Sequence, residues 1–89
     1  MIEAVMEANK EGVTIIYETG NNLFIPREII EQAINRLVRI GSLNKNEVHQ
    51  EITNGNGAMT DRLIAVLRML PGVQIKRRIP RELIYKPVD

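Results

Sequence analysis

The side chains able to do covalent chemistry are few: one histidine (His49), one serine (Ser42) and no cysteine in 89 residues. A hydroxyl nucleophile needs a base held within hydrogen-bond reach. Ser42 instead precedes a helix cap and His49 falls on a short polar helix, where it reads as a solvated residue or a weak phosphate contact. Without cysteine neither a disulfide framework nor a thiolate metal site can form, and nothing in the sequence supports metal ligation by the single imidazole with scattered carboxylates, although such a set is chemically possible. Asn54-Gly-Asn-Gly57 lacks the lysine and the spacing of a phosphate-binding loop. The expectation is a chain that is not an enzyme, with no catalytic residue, metal site, cofactor or evident small-molecule ligand.

Cationic chemistry is better represented. Net charge is only +1, yet residues 1–61 hold five basic side chains against nine acidic ones. Residues 62–89 hold seven, Arg62, Arg68, Lys76, Arg77, Arg78, Arg81 and Lys86, against Glu82 and Asp89. Such asymmetry suits a C-terminal third that meets a polyanion; the plainer account is a solvated basic hairpin. Single-stranded nucleic acid is the poorer fit, because that mode relies on aromatic stacking. Only Tyr17, Phe24 and Tyr85 are aromatic, all in strand-like segments that suit a core.

The elements that must carry these residues follow from periodicity and turn chemistry. Ile2, Val5 and Met6 suggest a short helix over residues 2–10, ended by Gly12. Val13–Tyr17 is β-branched and aromatic, Thr19–Asn22 is turn chemistry, and Leu23–Ile25 reads as the return strand of an N-terminal hairpin. Pro26 suits a first helical turn. Ile30, Ala33, Ile34, Leu37 and Ile40 then recur at helical spacing up to Gly41, giving a helix over 26–40.

Asn44 with Glu47 resembles a capping box, and Leu43 with Val48 a hydrophobic staple, for a helix over 44–53. After the Asn54–Gly57 turn a third helix spans 58–70, its core side set by Met59, Leu63, Val66, Leu67 and Leu70. Pro71-Gly72 stops it. Val73–Arg77 and Leu83–Lys86 alternate as a basic hairpin, with Pro80 in the connection.

An internal echo joins the two ends: Gly12-Val-Thr-Ile with Gly72-Val-Gln-Ile, and Ile25-Pro-Arg-Glu-Ile-Ile30 with Ile79-Pro-Arg-Glu-Leu-Ile84. Two irregular copies do not make a solenoid. The echo does leave open a helical turn over residues 80–84.

Length allows one domain: an N-terminal extension (1–25), a helical core (26–72) and a wing (73–89). The acidic start is unlike a signal peptide, and no run reaches the about 18 apolar residues of a membrane span. A cytoplasmic location is expected.

Three helices followed by a two-stranded basic wing resemble the winged helix-turn-helix superfamily over roughly residues 26–87, on element order, the short Asn-Gly turn and the basic hairpin. The resemblance implies an α+β fold: a small three-helix domain with a C-terminal hairpin wing and a short N-terminal hairpin, the latter either adding a third strand to the small sheet or making a dimer contact. It implies that the third helix enters the major groove of double-stranded DNA.

On that helix Ala58, Asp61, Ala65 and Arg68 face outward, flanked by Arg62 and Met69. The alanines keep the surface low, and Arg62 and Arg68 reach base edges or phosphates. Asn56 and Thr60 lie near the helix N-terminus as phosphate or base contacts, and Lys76, Arg77, Arg78 and Arg81 are the wing contacts. The plainer accounts are solvated helix arginines and an edge strand guarded by charge.

The implied function is sequence-specific DNA binding, a transcriptional regulator acting as a homodimer. The alternative is a winged-helix adaptor that meets another protein, which Asp61 and the near-zero net charge would suit.

Overall fold

Backbone pairing governs the N-terminal third. The computed structural model of the protein describes residues 4–78 and 81–86, and for residues 4, 5, 77 and 78 the backbone alone. β1 (Ala4–Asn9), β2 (Gly12–Tyr17) and β3 (Asn22–Pro26) form an antiparallel meander in that order. The first turn closes on Asn9, whose side-chain oxygen accepts the N–H groups of Glu11 at 2.8 Å and Gly12 at 3.2 Å. Of the helix expected over residues 2–10, Ala4–Asn9 is instead a strand and Lys10 a turn residue. An uncapped helix of nine residues is marginal in water, whereas β2 offers a partner for every register position from Ala4 to Asn9. What read as a hairpin is a three-stranded sheet, and it does not extend the C-terminal one.

Met6, Ile15 and Leu23 share one register row, and Ala8, Val13 and Ile25 the next, so one face of the sheet turns toward the helices. Ile15 and Ile25 are buried there. α1 (Arg27–Ile40) starts from Pro26, whose extended backbone (φ −60°, ψ 148°) serves as the N-cap. Ala33 and Leu37 are buried, with Ile29, Ile30 and Ile34 packed beside them. Ile40, expected on this stripe, is exposed at the last position of the helix. Gly41 takes φ 92°, where a side chain would strain, and its N–H bonds the Leu37 carbonyl at 2.8 Å.

Ser42–Asn44 forms β4, a strand not apparent from the sequence. α2 (Lys45–Glu47) follows, capped by Asn44, whose Oδ1 accepts the Glu47 N–H at 2.8 Å. Leu43 and Val48, the expected staple, are both buried. The second half of this helix, Val48–Ile52, is wound as a π-helix, with the Thr53 N–H reaching back five residues to the Val48 carbonyl at 2.9 Å. Asn54 and Gly55 take positive φ and turn the chain into α3 (Gly57–Leu67).

α3 is shorter than the expected 58–70. Beyond Leu67 the bonds from Met69 to Val66 and from Leu70 to Leu67, both 3.1 Å, span three residues and tighten the last turn. The buried face is Thr60, Leu63, Ile64 and Leu67; Met59, Val66 and Leu70 only flank it.

β5 (Val73–Arg78) and β6 (Arg81–Tyr85) make the final hairpin. β6 begins at Arg81, so residues 81–84 are strand and not a helical turn; Pro80 lies outside the described residues. The second sheet has the order β4-β6-β5, with Leu43, Leu83 and Ile75 in one row. Gly72 (φ 85°) closes its far end: the Lys86 N–H bonds the Gly72 carbonyl at 2.8 Å, and a Cβ at Gly72 would strike the Lys86 carbonyl oxygen. Among the described residues the result is a small α+β domain of three helices and two antiparallel sheets. Among the described residues no helix is long and apolar enough to cross a membrane.

The Asn44 side chain both ends β4 and starts α2. Asn44→Ala is expected to lower stability by about 1 kcal/mol, read as a reduced midpoint in urea denaturation with an unchanged slope. A midpoint equal to the parent's would show that the cap contributes nothing.

Candidate nucleic-acid interface

A chain of hydroxyl bonds sets the angle at which α3 leaves α2. Thr60 Oγ1 donates to the Asn56 carbonyl at 2.8 Å and lies 2.6 Å from Thr53 Oγ1. Either hydroxyl can donate in that pair, since Thr53 Oγ1 also lies 3.3 Å from the Asn56 carbonyl and 3.4 Å from those of Val48 and His49. Both residues are buried, Thr60 with no exposed surface at all. Thr60 is thus not a phosphate or base contact. Its hydroxyl is spent inside the turn, as buried polar groups require. Asn56 caps α3, its Oδ1 accepting the Met59 N–H at 3.0 Å, and stays exposed.

On the outer side of α3, Ala58, Arg62, Arg68 and Met69 are exposed, while Asp61 and Ala65 are half-buried. Ala58 and Ala65 keep that surface low, as expected. Arg62 is not a free solvated side chain: its guanidinium carbon sits 5.0 Å from the centre of the Tyr17 ring. A cation over an aromatic face is attracted by the ring quadrupole, so β2 of the N-terminal sheet orients a residue of α3.

Asp61 is neutralised locally. Its Oδ1, shielded from solvent, lies 2.9 Å from Lys45 Nζ, in the geometry of an ion pair and not of a well-aligned hydrogen bond. The Lys45 contact holds the Asp61 carboxyl below the usual carboxylate range. Partial burial opposes that shift, and the fields of Arg81 and Arg62 add to it. Five residues from four elements therefore gather: Lys45 of α2, Asp61 and Arg62 of α3, Tyr17 of β2 beneath Arg62, and Arg81 of β6 within electrostatic range of Asp61. Lys45 and Tyr17 are not legible as site residues in the sequence because their roles arise only where distant segments meet. No local sequence signal marks either.

Arg68 stands apart at the C-cap of α3, exposed and with no ion pair among the described residues. Lys76 is exposed and occupies a β-bulge, since Ile75 pairs with Leu83 and Arg77 with Glu82. The register next sets Arg78 opposite Arg81, which is exposed. The side chains of Arg77 and Arg78 lie outside what is described. A separate groove between α1 and the π-helical turn holds the pair of Arg36 and Glu51 at 2.9 Å and has no lining residue from α3 or the hairpin.

Because the Asp61 value in the folded chain lies below that of the unfolded chain, its pairing stabilises the fold above the ordinary aspartate range near ~3.9. That contribution is lost as pH falls through the lowered folded value. Carbon NMR of the Asp61 carboxyl should show a midpoint below the ordinary range, and Lys45→Met should move it upward. An unmoved midpoint would show that Lys45 is not the cause.

No family model, no curated protein and no solved structure matches this chain.

Proposed function

We propose that the protein binds double-stranded DNA sequence-specifically, as a winged-helix transcriptional regulator that works as a homodimer and performs no catalysis. The observation that carries this reading is the like-charged register at the free end of the C-terminal hairpin, where Arg78 stands opposite Arg81 next to a bulged Lys76. Like charges directly across a strand pair are destabilising. A polyanion bound at this end of the hairpin would offset that cost.

Topology supports the same reading. The order α1, β4, α2, α3, β5, β6 with a β4-β6-β5 sheet suits a helix-turn-helix followed by a wing. It leaves α3 an outer face of two small residues bordered by Arg62 and Arg68. Asp61, the residue that would favour a protein-binding alternative, is already compensated by Lys45. Lys45 and Arg62, held by Asp61 and Tyr17, join Asn56, Arg68, Lys76, Arg77, Arg78 and Arg81 as proposed contacts.

The test is fluorescence anisotropy on labelled duplexes over a range of salt, preceded by selection from a random duplex library. Lys76→Ala with Arg81→Ala should weaken all duplexes alike and reduce the salt slope by about 2, at roughly 0.9 for each phosphate that is no longer neutralised. Arg68→Ala should relax discrimination at one base position by ~1–3 kcal/mol with little change in nonspecific binding. A folded parent that binds no duplex even at low salt would overturn the proposal.

A further inference from the structure

The N-terminal sheet ends on a strand that the rest of the fold does not cover. In register, Met6 and Ala8 share the face of Ile15 and Val13, the face that is turned to the core in β2 and β3. Yet Ala8 is exposed and Met6 is 42% exposed, because α1 packs across β2 and β3. A groove of about 280 Å³ remains between β1 and α1, lined by Ala8, Val13, Arg27 and Ile30 among others. The outer edge of β1 has no strand partner among the described residues.

Open edges invite pairing, and chains usually guard them with charge, proline, bulges, shortness or a covering element. Elsewhere the devices are present. β3 ends on Pro26 and packs against α1 and α3, β4 is three residues long, and β5 carries a bulge at a lysine. β1 has six residues, no proline and one charge, Glu7.

We infer that β1 is the dimer contact, pairing antiparallel with β1 of a second copy to make one continuous six-stranded sheet. Symmetry selects the register. A two-fold axis through two antiparallel copies of one strand stands perpendicular to the sheet, so even-numbered residues face even-numbered ones when the axis passes through an even-numbered pair. Two registers use most of the strand. One sets Glu7 opposite Glu7, bringing like carboxylates together. The other sets Met6 opposite Met6, with Ala8 opposite Ala4 and Glu7 opposite Val5. Only the Met6 register is free of a direct charge clash, and it sets exposed apolar surface of one copy beside that of the other. This deepens the homodimer part of the proposed function and is independent of DNA contact.

The experiment is sedimentation equilibrium of the full chain without DNA. The parent should show concentration-dependent association to twice the chain mass. Met6→Lys, which sets two ammonium groups on the axis, should remain a monomer that still melts cooperatively, its midpoint matching that of the parent diluted to the monomer. The chain has no cysteine, so Met6→Cys introduces a single thiol. On air oxidation it should form a disulfide-linked dimer on the order of tenfold faster than Gln74→Cys, a position on β5, because the paired strands raise its effective concentration. A parent that stays monomeric, as it would if this edge served another protein's strand, overturns the inference. So does a parent dimer that survives Met6→Lys, or a Met6→Cys chain that cross-links no faster than Gln74→Cys. Duplex binding with no self-association would leave the DNA reading standing and remove only this interface.

Discussion

Three residues, Ser42–Asn44, carry the constraint on which the rest of the domain depends. Within this span the chain must leave α1, pair with β6 and begin α2. Gly41 makes the exit possible by adopting φ 92°, and its carbonyl accepts the Tyr85 N–H at 2.9 Å. Leu43 then lies in one row with Leu83 and Ile75, Leu43 and Leu83 both buried. Asn44 ends the strand and caps the helix with the same side chain. Without that pairing the C-terminal hairpin would be an isolated two-stranded ribbon, marginal in water. With it, the hairpin is a fixed extension of the helical core.

The second determinant is the hydroxyl chain between Thr53 and Thr60. A buried hydroxyl without a partner costs about 1–3 kcal/mol, so this pair tolerates only a narrow set of angles between the π-helical turn and α3. The same geometry brings Lys45 within 2.9 Å of Asp61. Electrostatics at the outer surface thus follow from a packing decision made inside. Arg62 over Tyr17 adds a link from the N-terminal sheet, so that all three parts of the chain meet around the first two turns of α3.

Charge along the chain takes on a spatial meaning in this arrangement. The acidic N-terminal two thirds are not uniformly repulsive toward an anion, because Glu31 and Glu51 pair with Arg27 and Arg36 on α1, and Asp61 pairs with Lys45. The basic hairpin keeps Lys76 and Arg81 exposed. Beside it, the outer face of α3 carries one carboxylate, Asp61, that is already compensated by Lys45.

Read alone, the sequence determined the local events. Pro26 and Gly41 bound α1, Asn44 with Glu47 starts α2, Asn54-Gly55 turns the chain, and alternation builds β2, β3 and β5. Each depends on neighbours a few residues away, so each was legible. What the sequence could not decide were outcomes that depend on distant partners. β1 reads as a helix because its partner strand is what selects it, and Thr60 reads as a contact because its complete burial is a tertiary fact. The internal echo makes the point within one chain. Ile25-Pro-Arg-Glu-Ile-Ile30 enters a helix because Ala33, Ile34 and Leu37 continue its apolar stripe onto the first sheet. Of Ile79-Pro-Arg-Glu-Leu-Ile84, the part from Arg81 onward is a strand, because Leu43 and Ile75 stand ready on either side of Leu83. Nearly the same four residues, Arg27–Ile30 and Arg81–Ile84, take two conformations, and the surfaces waiting to bury their apolar side chains choose between them.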